Sequence, residues 1–150
     1  MATNAQVIEM LQAAYSMELE TVMNYLANSI NLDGVRAEEI KKSLSADITE
    51  ELGHATQLGN RIKQIGGLVP GSLKVKLGNQ SQPTDNTTDV TGVIKSVIAA
   101  EEAACAQYRK IIKATEGEDY VTQDLSIQLL KAEEEHLVLF KGFLKEYAQS

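Results

Sequence analysis

The 150-residue sequence predicts an all-α fold, a four-helix bundle with one long crossover between the second and third helices. Three observations carry this. Apolar residues recur at intervals of three and four along most of the chain, and strand-type alternation is hard to find. Both prolines, Pro70 and Pro83, fall in the middle of the chain. The breaks in the helical pattern run short, long, short, which sets the connectivity.

The first helix is expected over about residues 5–31, with Ile8, Leu11, Tyr15, Val22, Tyr25 or Leu26, and Ser29 on one face. Asp33-Gly34 ends it. The second runs over about 36–65 on Leu44, Ile48, Ala55, Leu58, Ile62 and Ile65, and stops at Gly66-Gly67. Gly53 and Gly59 lie inside it, each costing about 1 kcal/mol relative to Ala. The polar stretch that follows, with its prolines and NQSQPTDNTTD, is a long surface connection. The third helix covers about 89–115 on Val90, Ile94, Val97, Ala104, Tyr108 and Ile111. The fourth covers about 120–147 on Leu129, Leu130, Leu137, Phe140 and Phe143, after a break at Glu116-Gly117-Glu118-Asp119. Short breaks demand antiparallel hairpins. A helix of about 27 residues is roughly 40 Å long. A connection of about 20 residues can travel that length, at up to about 3.3 Å each, so the second and third helices run parallel. One domain over residues 1–150 is expected.

Composition removes several function classes. The formal charge is −7, from 21 acidic and 14 basic side chains, which argues against nucleic acid as a general partner. A single cysteine, Cys105, excludes an intrachain disulfide and any multi-cysteine metal centre. No apolar run reaches membrane-span length and the start carries no secretory signal, so a cytoplasmic setting is expected.

The informative residues are charges inside the apolar stripes. Glu18 falls between Tyr15 and Val22. Glu51 falls between Ile48 and Ala55, with His54 three residues on. Glu101 lies between Val97 and Tyr108, and Glu133 and His136 lie between Leu129 and Phe140. Each helix thus aims one carboxylate inward near its midpoint, and two add an imidazole one turn later. Burying four lone carboxylates costs several kcal/mol each, so compensation is required. Two divalent cations balance four carboxylates and leave both imidazoles neutral. The oxygen and nitrogen donors suit iron or manganese. A Glu from each of two helices plus Glu-x-x-His from each of the other two is the pattern of di-iron and di-manganese bundles.

The spacing repeats. Glu18 to Glu51 is 33 residues and Glu101 to Glu133 is 32, and Glu18 and Glu101 each have a tyrosine seven residues later, Tyr25 and Tyr108. The chain reads as two related hairpins. The tyrosines are either core residues with bonded hydroxyls or hydrogen-bond partners of the ligands. Cys105 reads as an inert buried thiol. Glu20, Glu102, Glu134 and Glu135 read as solvated face, and Asp47 and Glu50 as a charged face beside Glu51, an inner-surface iron relay being the other reading.

EL-x5-Y at Glu18–Tyr25, EELGHATQLGNRI at Glu50–Ile62 and DYVTQDLSIQLLKAEEEH at Asp119–His136 resemble the metal-binding helices of bacterioferritin. The resemblance spans about residues 5–147 and implies a ferritin-like bundle with two iron ions per chain, manganese being the other candidate. It implies Glu18 and His54 on one iron, Glu101 and His136 on the other, and Glu51 and Glu133 bridging. It also implies a homo-oligomer, at least a dimer, that oxidises Fe(II) with oxygen or peroxide for storage or detoxification. Three departures stand beside it. Leu52 occupies the position of the family's haem-ligating methionine, which argues against the inter-subunit haem. Only 14 residues follow His136, too few for a fifth helix. Tyr108 makes the second hairpin mirror the first, as in rubrerythrin, but Ala104 stands where rubrerythrin has an extra glutamate. Ferroxidase is the leading expectation. A dimeric non-storage di-iron oxidase or peroxidase, and a DNA-protecting mini-ferritin, are the alternatives.

Overall fold

Thr3 opens the first helix, α1 (Asn4–Asn31), through a reciprocal cap. Its hydroxyl accepts the Gln6 N–H at 3.2 Å, while the Gln6 carboxamide accepts the Thr3 N–H at 2.8 Å. A single 3₁₀ turn, Val35–Ala37, then leads into α2 (Glu38–Gln64). Asp89 caps α3 (Val90–Thr115) by accepting the Gly92 N–H, and Asp119 caps α4 (Tyr120–Tyr147) by accepting the Thr122 N–H. Arg61 of α2 reaches the same Asp119 at 2.8 Å and the Thr122 hydroxyl at 2.9 Å, tying the start of α4 to α2. This computed structural model describes residues 1–149. Among them, no helix is long and apolar enough to cross a membrane.

The four helices form two hairpins, α1 with α2 and α3 with α4, joined by the long connection over residues 65–89. That connection returns the chain to the end where α2 begins. Just before α3, the Thr87 carbonyl accepts the Asp33 N–H at 2.8 Å, and the Thr87 hydroxyl donates to the Asp33 carboxylate. The second and third helices therefore run parallel, as the loop lengths predict. Gly67 makes the sharp exit from α2 possible, because a Cβ there would stand 2.8 Å from the Ile8 side chain and 2.9 Å from that of Ile62. Gly53 faces open space, whereas Gly59 lies in ordinary contact with Val69 and Tyr15.

The crossover explains where the predicted faces shift. It lies along the outer side of α1 and is fastened there by side chains on one helical face, four or eight residues apart. The Ser16 hydroxyl accepts the Lys76 N–H, the Asn24 amide donates to the Gln80 carbonyl, and the Asn28 amide donates to the Ser81 carbonyl. Glu20, expected in solvent, sits in this row and is buried beneath Gly78. Asn28 is the buried residue at the end of α1, and Ser29 is only partly covered. Covering α1 on a second side gives it a buried polar face that a single apolar stripe does not predict.

The apolar core divides in two. One cluster holds Tyr25, Leu32, Ala37, Ile40, Leu44, Val90, Val93, Ile94, Val97 and Phe140. The other holds Val7, Leu11, Ala14, Leu58, Ile62, Tyr108, Ile111 and Leu129. Each runs in from one end of the bundle and stops short of the middle. The gap between them is where the charged residues meet.

Candidate metal centre

All six charged residues singled out in the stripes occupy that gap, from 1% exposed (Glu51, Glu133) to 7% (His136). They form two overlapping groups, each with donor atoms within 4.8 Å of one another. One is Glu18, Glu51, His54 and Glu133. The other is Glu51, Glu101, Glu133 and His136. Glu51 and Glu133 are common to both. The helical period produces this directly, because Glu and His three residues apart share a face.

Both imidazoles turn Nδ1 inward. His54 Nδ1 lies 3.0 Å from Glu133, 3.5 Å from Glu51 and 3.6 Å from Glu18. His136 Nδ1 lies 3.1 Å from Glu51, 3.7 Å from Glu133 and 3.9 Å from Glu101. The tyrosines close the site across the bundle. Tyr25 donates its hydroxyl to Glu101, and Tyr108 donates to Glu18 at 2.5 Å. The partners are exchanged between hairpins, since neither tyrosine bonds the glutamate seven residues before it. Each ring belongs to one of the two apolar clusters, so its body packs while its hydroxyl reaches a carboxylate.

Electrostatics follow from crowding. Burial, reinforced by Glu51, pushes the Glu18 carboxyl well above the carboxylate range. Burial and the neighbouring Glu133 push Glu101 up to about 11. Burial opposes ionisation of Glu51 and Glu133 too, but hydrogen bonds from Glu18 and Glu101 respectively, and from both histidines, hold these two low. Burial alone lowers an imidazole. Here Glu133, Glu18 and Glu51 override it and raise His54 to about 12, and Glu133 and Glu51 raise His136 in the same way. Two protonated carboxyls, two carboxylates and two imidazolium rings leave the cluster near neutral.

The residues fit a pair of divalent cations. Glu18 Oε2, Glu51 Oε1, Glu101 Oε2 and His136 Nδ1 are buried without a hydrogen-bond partner, although Glu51 and His136 approach closely. Buried polar atoms are normally paired, so four unpaired ones converging on one point mark a place for a ligand. Oxygen and nitrogen donors without sulfur suit iron or manganese. Cys105, one turn beyond Glu101, is 1% exposed, and burial raises its pKa, so it stays a thiol.

Residues 8–150 match the ferritin-like domain. The chain belongs to the ferritin-like family. This ferritin-like chain is 26% identical over 144 residues to the DNA protection during starvation protein of Pyrococcus furiosus, covering 93% of itself and 77% of that protein. It is 26% identical over 140 residues to the bacterioferritin of Desulfovibrio desulfuricans, covering 92% and 74%. Among solved structures, a dodecameric thioferritin, the bacterioferritin-related protein of Bacteroides fragilis, superposes with a TM-score of 0.86 at 23% identity, covering 99% of this chain and 89% of that one. The diiron-containing D. desulfuricans bacterioferritin does so with a TM-score of 0.83 at 24% identity, covering 97% and 82%.

Two neighbours of the site carry more than surface charge. Asp47 is 8% exposed, with Oδ2 unpaired, and burial lifts its pKa to about 6 against the pull of His136. Glu50 is hydrogen-bonded to His136. The stripe pattern alone assigns both to a charged face. Their position one turn before and one residue before Glu51 was the available signal. Glu102, Glu134 and Glu135 are exposed as expected, and Leu52 is half-exposed, a side chain with no atom to offer a haem iron.

Proposed function

We propose that this protein is a ferroxidase, oxidising Fe(II) to Fe(III) at a di-iron centre within one chain for iron storage or detoxification. The observation that carries this reading is the pair of buried donor groups sharing Glu51 and Glu133. In it, Glu18 and His54 would hold one Fe(II) substrate ion and Glu101 and His136 the other, with Glu51 and Glu133 available to both. Bound iron supplies the electrons that oxygen or peroxide takes up. The chain's own residues fix the geometry. Tyr25 and Tyr108 each tie one oxygen of Glu101 and Glu18, leaving the second free to bind metal. The flanking apolar clusters keep bulk water out of the bundle centre. This chemistry is assigned to the cytoplasm.

A homo-oligomer belongs to the same reading. One structural relative is dodecameric. Here Met23, Leu26 and Ile30 of α1 and Leu52 of α2 are about half exposed or more, on the side where Tyr15, Leu19 and Gly59 line a cavity of about 510 Å³. Exposed apolar surface of this kind suits association of copies.

Mixing metal-free protein with two equivalents of Fe(II) and admitting air tests the activity. Oxygen uptake and the rise of ferric absorbance are expected within seconds, and Glu133→Ala should fall to the rate of Fe(II) in buffer. Fe(II) that binds tightly yet oxidises no faster than in buffer would overturn the assignment.

A further inference from the structure

The geometry points to Glu50 as the positioning residue that aims His136 at the metal pair. This inference rests on the metal-centre reading above and deepens it. Both imidazoles present Nδ1 to the carboxylate cluster, at 3.0 Å from Glu133 for His54 and 3.1 Å from Glu51 for His136. A neutral imidazole that ligates through Nδ1 carries its hydrogen on Nε2, and that hydrogen needs an acceptor. For His136 the acceptor is Glu50 Oε2 at 2.8 Å, with Asp47 farther off at 3.7 Å. For His54 the facing group is the other oxygen of the same carboxylate, Glu50 Oε1 at 3.8 Å. One side chain on α2 thus faces the outer nitrogens of rings from two helices, its own and α4.

The two rings are not held equally. The bond to His136 has full hydrogen-bond length, whereas the approach to His54 does not. His54 lies one turn along the same helix as Glu50, so the helix itself sets their relation. His136 comes from the other hairpin and has no such restraint. Without Glu50, its ring loses the contact that fixes both its orientation and which nitrogen carries the hydrogen. Glu50 is also the most accessible member of this group, its side chain 45% exposed against 7% and 9% for the histidines. Its removal therefore leaves no buried cavity. Partners of this kind, behind a ligating histidine, typically affect metal affinity by about 10–100-fold.

Anaerobic Co(II) titration of the full-length protein, followed by visible absorption, provides the test without turnover. Native protein is expected to bind two Co(II) per chain, and the step lost in His136→Ala identifies that ion's position. Glu50→Ala should weaken this step by about 10–100-fold and alter its absorption bands, while the His54 step moves by less than about threefold. Glu50→Gln, whose amide oxygen still accepts a hydrogen bond, should restore most of the affinity and the native bands. Circular dichroism confirms that each variant is folded. Native affinity and spectrum in Glu50→Ala would overturn the assignment. So would a third Co(II) in native protein that Glu50→Ala removes, since that makes Asp47, Glu50 and His136 a cation site. A native protein that binds no Co(II) would instead overturn the metal-centre reading itself.

Discussion

Glu51→Ala is expected to weaken metal binding by more than about 100-fold at both positions of the centre, whereas Glu18→Ala should spare the position built on Glu101 and His136. The difference lies in which groups each residue joins. Glu51 belongs to both donor groups, and Glu18 to one. Losing a partner behind a ligand costs about 10–100-fold, and losing a bridging ligand from two ions at once costs more. Circular dichroism establishes that each variant is folded before its affinity is read. Calorimetric Co(II) titration reads both steps. One full-affinity ion retained in Glu51→Ala would contradict the shared position of this carboxylate.

The second large effect is a reversal in the pH dependence of stability. In metal-free protein, Glu101 is held up to about 11 and Glu18 well above its usual range, while unfolded glutamates titrate near 4.3. The folded state therefore keeps two carboxyl protons that the unfolded state gives up. His54, at about 12 against an ordinary value near 6.5, works in the same direction, as does His136. Every one of these groups is raised, so its contribution is fully present below the unfolded pKa and drains away as pH rises toward the folded one. Glu51 and Glu133 are shifted down and change nothing above pH 6. Urea unfolding of metal-free protein should show stability falling steadily between pH 6 and pH 9. Divalent metal displaces the same protons, so loaded protein should gain stability over that interval. Equal or rising stability of the metal-free form would contradict the proton placement.

The bundle and the clustering of the six charged side chains are legible in the sequence because both depend on local periodicity. A charged residue in phase with an apolar stripe must enter the core, and Glu-x-x-His on a helix must point both side chains the same way. What stayed hidden depends on which distant segments meet. Glu-x6-Tyr puts Tyr25 on the face of Glu18, yet the hydroxyl bonds Glu101 from the other hairpin. Glu20 reads as solvated from the stripe, but the crossover lies over α1 and covers it, and no local pattern announces that a loop will cover a helix. Asp47 reads as surface yet is buried, and Glu50, exposed as the stripe predicts, still bonds His136, because that ring arrives from α4. The 3₁₀ turn at Val35–Ala37 was likewise unsignalled, since it only adjusts the entry to α2.

Anaerobic Fe(II) titration of metal-free protein, with proton release recorded alongside, tests the di-iron centre most directly. Saturation at two Fe(II) per chain is expected, with about four protons released as Glu18, Glu101, His54 and His136 give way to metal. Saturation at one Fe(II) or none, or binding of two without proton release, would contradict it.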